Sequence, residues 1–432
     1  MARLIIGHTT SNSVNVWVRG SRKYPVGYAQ IIGPNKNQTK YIELEERHGY
    51  TGAFKFTALK PNTEYEVIAT FSHTTRSPKG ERIEFGHCVG RVRTFRPKTS
   101  KAKMTFILGS CNLHTLGLFN NGDVAYRRIN EEAVKADADF MIHCGDQIYF
   151  DIQIPPRYPT VEAYRRCYRD AWGDSRPARK LLTQLPHYMI LDDHEIIDNF
   201  SNDTKVLGVF SAGGFKSAGI KAYREYQYIH SPRNHGNDSL HYSFNCGINE
   251  FFVLDTRSER HKERKEIISR GQMSRFKRWL TSKAKSNQFV VTSVPFVAEN
   301  LKSKDKWNGF TEQRDEIIDH ISKNKISKLT FLCGDQHNSM HSTMMIGDDN
   351  AQILVNEVMS SPINQIQKAD RDDYDDNKSK TTSKGTKYKF QIKKFYNEHS
   401  NAMVIKVEGG KLTYTIFRTK KKDNIKSETF NL

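Results

Sequence analysis

Four short polar motifs close four apolar runs in this chain, and together they gather residue types that bind metal ions. GSCN supplies Cys111, GDQIYFD supplies Asp146 and Tyr149, DDHEIIDN supplies Asp193, His194 and Asn199, and GDQH supplies Asp335 and His337. A carboxylate such as Asp146 has two oxygens and can bridge two cations. A phenolate binds strongly only to a hard, highly charged ion such as Fe(III), and the Cys111 thiolate would complete the same shell, so the pair points to iron rather than magnesium. Asp193, Asp335 and Asn199 offer oxygens to a second, harder ion such as calcium or magnesium. Two neighbouring cations polarise phosphoryl oxygens and make a hydroxide from bound water, which is the chemistry of phosphate-ester hydrolysis near neutral pH. His194 would then hydrogen-bond the phosphate or protonate the leaving oxygen.

Local spacing suggests how these side chains converge. If a helical turn starts at Asp146, Tyr149 lies one turn on and faces the same way. Asp335 and His337, two residues apart, share a side on an extended backbone and could serve one metal each. Each motif alone has an ordinary explanation: a GD after a strand is common, a strand-end cysteine is usually core, and DDHE could open a helix with acids at its positive end. Four strand ends carrying ligand-type residues together are much more specific. A helical His337/His341 pair at i, i+4 is a separate zinc reading, but the glutamate of an HExxH motif is missing.

The elements that must position these residues are legible as well. Residues 1–97 read as all-β: Val14, Val16 and Val18 recur at the period of a half-buried strand, and Tyr65 follows a Pro-Asn turn in the manner of the tyrosine corner of fibronectin-type and immunoglobulin-like sandwiches. Arg91–Lys103 holds a last strand, then a proline and a basic stretch, a plausible boundary. From residue 103 to 432 strands and helices alternate, which predicts an α/β layer structure with functional residues at the C-terminal ends of strands. Ser201–Gly219, rich in small residues, is expected to be a mobile loop and a candidate lid. Lys368–Lys387, highly charged and without apolar period, is expected to be disordered. Residues 395–418 suggest a closing hairpin around Gly409 and Gly410.

The 432 residues include 67 Lys and Arg against 48 Asp and Glu, a net charge of +19, so the surface should attract anions. The basic stretch Arg257–Lys285 reads first as a solvated helix face and, more sharply, as a guide for a polyanionic substrate. No apolar run is long enough to span a membrane. The six cysteines are scattered and expected to be reduced. The N-terminal residues lack the apolar core of an export signal, so a cytoplasmic location is expected, with no obligate protein partner evident.

GSCN, GDQIYFD, DDHEIIDNF, LDTR and GDQH, in this order behind a small β-sandwich, resemble the alkaline phosphatase D (PhoD-like) family of metallophosphoesterases. The resemblance implies a four-layer αββα domain behind the fibronectin-III/Ig-like sandwich, hydrolysis of phosphodiesters and monoesters, and bound Fe(III) and Ca(II), with Mg or Mn as other candidates for the second ion. It assigns Cys111, Asp146, Tyr149 and His337 to iron, and Asp193 and Asp335 to calcium with Asp146 bridging. Arg257 of LDTR is assigned to phosphate or to site support. Asn112 stands where glutamine is common in the family, and with Asn199 it is a candidate substrate contact. Two rivals from other classes are a catalytically silent binding protein for nucleic acid or another polyanion, and a zinc hydrolase of non-phosphate esters.

Overall fold

The computed structural model describes residues 3–34, 36–73, 85–114, 123–153, 157–174, 176–205, 212–236, 239–348 and 352–432. The first seven strands form two sheets. β1 (Leu4–Thr9), β2 (Ser13–Arg19) and β5 (Thr51–Thr57) make one; β3 (Val26–Gly33), β4 (Lys36–Glu43), β6 (Glu64–Ser72) and β7 (Phe85–Arg93) make the other, in the order β4-β3-β6-β7. Val14, Val16 and Val18 enter the core between them with Ile31, Phe56 and Val67. Expected from the valine spacing to be half-buried, β2 is instead buried on both faces, including the one opposite these valines. Trp17 is fully buried there, and its indole N–H donates to the Glu225 carbonyl at 2.8 Å, so the sandwich is packed against the rest of the chain. Tyr65 accepts the backbone N–H of Lys60 at 2.9 Å, the corner bond anticipated from sequence.

Two larger sheets follow. β8 (Met104–Gly109), β9 (Phe140–His143) and β10 (His187–Met189) run parallel, and β21 (Asn401–Glu408), β22 (Lys411–Arg418) and β23 (Asn424–Asn431) extend that sheet beside β8. β21 and β22 are the hairpin expected around Gly409 and Gly410. The second sheet has the order β11-β12-β13-β15-β17-β16-β20-β19. Its strands are β11 (Tyr242–Cys246), β12 (Asn249–Val253), β13 (Asn287–Val291), β15 (Leu329–Cys333), β16 (Ser339–Ile346), β17 (Ile353–Met359), β19 (Ser379–Thr381) and β20 (Lys387–Tyr396). Short strands β14 (Glu299–Asn300) and β18 (Tyr374–Asp375) pair separately.

Strand alternation decides what each sheet buries. Phe106 and Phe140 stack at 5.0 Å on one sheet and meet Phe251 of the other edge-on, at 5.9 and 5.6 Å, which joins the two inner faces. Their strand neighbours Ile107 and Met141 point the other way and pack on helices α1 (Asp123–Lys135) and α3 (Arg176–Leu182). Phe252, Val290 and Phe331 do the same against α5 (Arg270–Ser282) and α6 (Thr311–Lys323). Helices α2 (Val161–Tyr168) and α4 (Ala212–Tyr226) pack on each other near the sandwich.

Two expectations change. Ser201–Gly219 is not one loop: α4 begins within it, and residues 206–211 of the candidate lid lie outside the described residues. Lys368–Lys387 is ordered, holding β18 and β19. Its charges are matched by partners distant in sequence: Asp373 pairs with Lys302, and Lys380 with Glu299. A composition argument sees charge without its partner, and so reads disorder.

Candidate metal centre

The four motifs meet at the C-terminal ends of their strands. Cys111 follows β8, Asp146 follows β9, Asp193 and His194 follow β10, and Asp335 and His337 follow β15. The Cys111 thiol lies 3.4 Å from Asp146 Oδ2, the Tyr149 hydroxyl donates to the same oxygen at 3.3 Å, and it is 3.4 Å from His337 Nε2. Cys111, Asp146 and His337 thus present donor atoms within 4.8 Å of one another, as do Asp146, Asp193 and His194, and Asp192, Asp193 and Asp335. Asp146 belongs to the first two groups, and Asp193 to the last two.

The local geometry differs from both spacing arguments. Asp146 does not begin a helix, and the Asp335–His337 segment is not extended. Instead Cys111, Asp146, Asn199, Asp335 and His337 all have left-handed backbone, with φ of 59°, 55°, 53°, 72° and 53°. They are five of the thirteen described non-glycine residues with positive φ. Such conformations cost about 1–3 kcal/mol each and persist where the surrounding structure imposes them, commonly at functional sites. Two glycines allow the turns to approach. Gly145 has φ of 95°, and a Cβ there would strike Asp192; a Cβ on Gly334 would strike Ser110, beside Cys111.

A buried glutamate that the motif reading left without a role ties two of these turns together. Glu195 Oε2 accepts the backbone N–H groups of Asp146 at 3.1 Å and Asp192 at 3.0 Å; Oε1 accepts those of Gln147 at 2.6 Å and the Gln227 side chain at 3.2 Å. Glu357 plays the same part for the turn after β13, accepting the N–H groups of Phe296, Val297 and Ala298. Other groups missed from sequence are Asp151, whose carboxylate holds His194 Nδ1 at 2.7 Å, and the Ile366 carbonyl, 2.7 Å from His337 Nδ1. Asp151 closes the GDQIYFD motif and could have been noticed; a carbonyl has no sequence signal.

The electrostatics fit cations. Burial, and then the neighbouring Asp146, push the Cys111 thiol well above its usual range; burial, Cys111 and Asp146 do the same to the Tyr149 phenol. Burial raises the Asp146 carboxyl too, and its Oδ1 is buried without a partner, as is Asp192 Oδ2. Three acidic groups are therefore crowded where each disfavours the anion of the others, an arrangement a bound cation reverses. His337 is lowered by burial to about 3, so its imidazole is neutral with Nε2 turned to the cluster. His194 goes the other way: burial lowers it, but Asp146, Asp193 and Asp151 outweigh that and raise it to about 10.

The remaining candidates are placed as follows. Asp146, Asp193, His194, Asn199, Asp335 and His337 line a pocket of about 230 Å³, with Lys302, Lys306 and Lys368 on its wall. Asn199 is exposed, and its backbone N–H donates to Asp193 Oδ2 at 2.7 Å. Asn112 does not reach the pocket: it is fully buried and its amide donates to Tyr126 of α1 at 2.7 Å. Arg257 is fully buried behind the site, with Nε 2.6 Å from Asp192, Nη1 2.6 Å from Asp305, and Nη2 3.6 Å from Asp193 and 3.8 Å from Asp335. It supports carboxylates rather than facing solvent. His341 lies in β16 and bonds Asn356, away from His337's face, so the helical zinc pair does not form. The basic stretch is also partly neutralised, since Arg270 and Lys277 pair with Glu316 and Lys283 with Glu250.

The family model described as "PhoD-like phosphatase" matches residues 106–416, most of the chain and all four motifs. The chain belongs to the PhoD-like phosphatase family. Alkaline phosphatase D of Bacillus subtilis (strain 168) is 24% identical over 318 residues, which cover 61% of this chain and 52% of that protein. The chain thus spans about half the length of the curated relative it matches. Among solved structures, one described as the structure of PhoD superposes over 100% of this chain and 90% of its own, with a TM-score of 0.76 at 16% identity. The purple acid phosphatase PPD1 from yellow lupin (Lupinus luteus) seeds superposes over 99% of this chain and 74% of its own, with a TM-score of 0.66 at 11% identity. These likenesses show a shared mixed α/β fold.

Proposed function

We propose that this PhoD-like protein hydrolyses phosphate esters, monoesters or diesters, at a two-metal centre in the pocket beside Asp146. The observation that carries the reading is the convergence of a thiol, a phenol, a carboxyl and a neutral imidazole from three strand-end turns, with the buried Asp146 carboxylate shared between two donor groups. Cys111, Asp146, Tyr149 and His337 would hold Fe(III), whose preference for phenolate and thiolate fits that side. Asp193 and Asp335, with Asp146 between and Asn199 at the rim, would hold Ca(II), or Mg or Mn in its place. Bound together, such ions supply Lewis acidity toward a phosphoryl oxygen and lower the pKa of a water.

The chain's own residues do the rest. His194, held by Asp151 at 2.7 Å, presents its ring to the pocket, where it can hydrogen-bond the phosphate or protonate the leaving oxygen. Arg257 fixes Asp192 and balances the carboxylates from behind. Lys368 on the wall attracts an anionic substrate, Lys302 being paired with Asp373. We assign the sandwich to residues 1–97 and the catalytic domain to residues 103–432, with the four-layer αββα order supported by helices on the outer face of each sheet.

The test is hydrolysis of p-nitrophenyl phosphate and bis(p-nitrophenyl) phosphate by protein reconstituted with iron and calcium. Turnover of either ester, abolished in Asp146→Ala, is expected. Cleavage of p-nitrophenyl acetate with none of the phosphate esters would overturn the assignment in favour of another hydrolase class.

A further inference from the structure

The second-ion side of the pocket already carries a cation of the chain's own. Lys306 is buried, lines the pocket, and its ammonium contacts Asp335 Oδ2 directly. Asp335 is one of the carboxylates proposed for the second ion, and its donor oxygen clusters with those of Asp192 and Asp193. The backbone of Lys306 is anchored on both sides. Asp305 is pinned by Arg257 and by Arg260 at 2.8 Å, and the fully buried Trp307 donates its indole N–H to Thr292 at 3.2 Å. The four-carbon side chain, rather than the loop, must therefore move if the ammonium leaves Asp335.

We propose that Lys306 is a tethered counter-ion that competes with the second metal ion for Asp335. Lys306 holds Asp335 Oδ2, and Oδ1 lies 3.8 Å from Arg257; an ammonium and a divalent cation on one carboxylate repel each other strongly in a site this poorly exposed to water, so the ion binds best when the ammonium leaves. Arg257 does not compete in this way: its Nη2 is 3.8 Å from Asp335 and its other nitrogens are committed to Asp192 and Asp305. Lys306 thus keeps Asp335 neutralised in the ion-free protein and weakens ion binding by the interaction that must be given up. Lysine suits the role better than arginine, since it is a compact point charge on a flexible stem.

This inference rests on the two-ion reading, so the test separates the two. Protein as purified is treated with EGTA to remove weakly held divalent ions and titrated with calcium chloride in a calorimeter, comparing wild type, Lys306→Met, Lys306→Gln and Asp335→Ala. The two uncharged variants should bind calcium about tenfold more tightly than wild type or better, while Asp335→Ala should lose the calcium signal. Gln keeps a donor for Asp335 and gives the same reading should Met not fold. Equal or weaker calcium affinity in both uncharged variants, with wild type still binding, overturns the role of Lys306 alone. No binding in any form, with calcium, magnesium or manganese chloride as titrant, overturns the two-ion reading itself.

Discussion

Replacing Glu195 by glutamine tests whether one buried carboxylate holds the metal-site turns in register. In the native structure both oxygens are used, each by two N–H donors, and no neighbour accepts a proton from the group. A glutamine must direct its NH2 toward one pair. The less costly choice faces Gln147 and Gln227, because Gln227 Oε1 is without a partner and its amide can turn to accept. Burial raises the Glu195 carboxyl to about 7, so the comparison is made above pH 8, where it is ionised. With the amide so placed, the Gln147 N–H is left buried and unpaired, at about 1–3 kcal/mol, and the bonds from Asp146 and Asp192 each lose about 0.5–1.5 kcal/mol as their acceptor becomes neutral. The total is roughly 4 kcal/mol. Urea unfolding followed by tryptophan fluorescence should report that loss, and iron retained after gel filtration should fall with it because Asp146 is one of the freed turns. A variant with unchanged stability and full iron would refute the argument that Glu195 positions Asp146.

Four further outcomes are expected. Tyr149→Phe should abolish any visible phenolate-to-iron absorption band while the far-ultraviolet circular dichroism stays unchanged; a persisting band would mean another residue supplies it. His194→Ala should keep its metals and lose turnover, and metal loss in elemental analysis would reassign it as a ligand. Tyr65→Phe should cost about 1 kcal/mol by removing the bond from the Lys60 N–H, with kcat on p-nitrophenyl phosphate unaffected; a drop in kcat would tie the sandwich to the site. Acid should destabilise the fold through His8, His187 and His230, which burial lowers to about 3, 4 and 3. Because the folded state resists protons that the unfolded chain takes up below about 6.5, stability present above that pH is lost toward pH 4, by about 4 kcal/mol for three groups between pH 7.5 and 5.5. His194 and Glu195, raised to about 10 and about 7, act in the opposite sense, so the contribution is read as the difference in pH dependence between wild type and His187→Gln; a pH dependence unchanged in the variant would contradict it.

The site was legible wherever chemistry is carried by residue type and the position of a motif after an apolar run. Cys111, Asp146, Tyr149, Asp193, His194, Asp335 and His337 all come from such positions, and the structure brings them together. Spacing was a poorer guide to how they converge, because helical and extended rules describe repeating backbone, whereas the turns at Asp146, Asp335 and His337 are left-handed. Asn112 was misjudged for a related reason: adjacency to Cys111 says nothing about which side of the turn its amide occupies, and Tyr126 captures it. Glu195, Glu357 and Lys306 act through backbone N–H groups or a carboxylate from distant segments, so no local pattern announces them. The order of Lys368–Lys387 was hidden likewise, since Lys302 and Glu299 supply its counter-charges from another part of the chain.

The most direct test of the central claim is the metal content of untreated wild-type protein beside Asp146→Ala, by elemental mass spectrometry. Iron close to stoichiometric with protein, accompanied by calcium or another divalent ion, and loss of both from the variant, is the predicted result. A wild type carrying zinc alone, or an Asp146→Ala variant that keeps both metals, would contradict a two-metal centre bridged by Asp146.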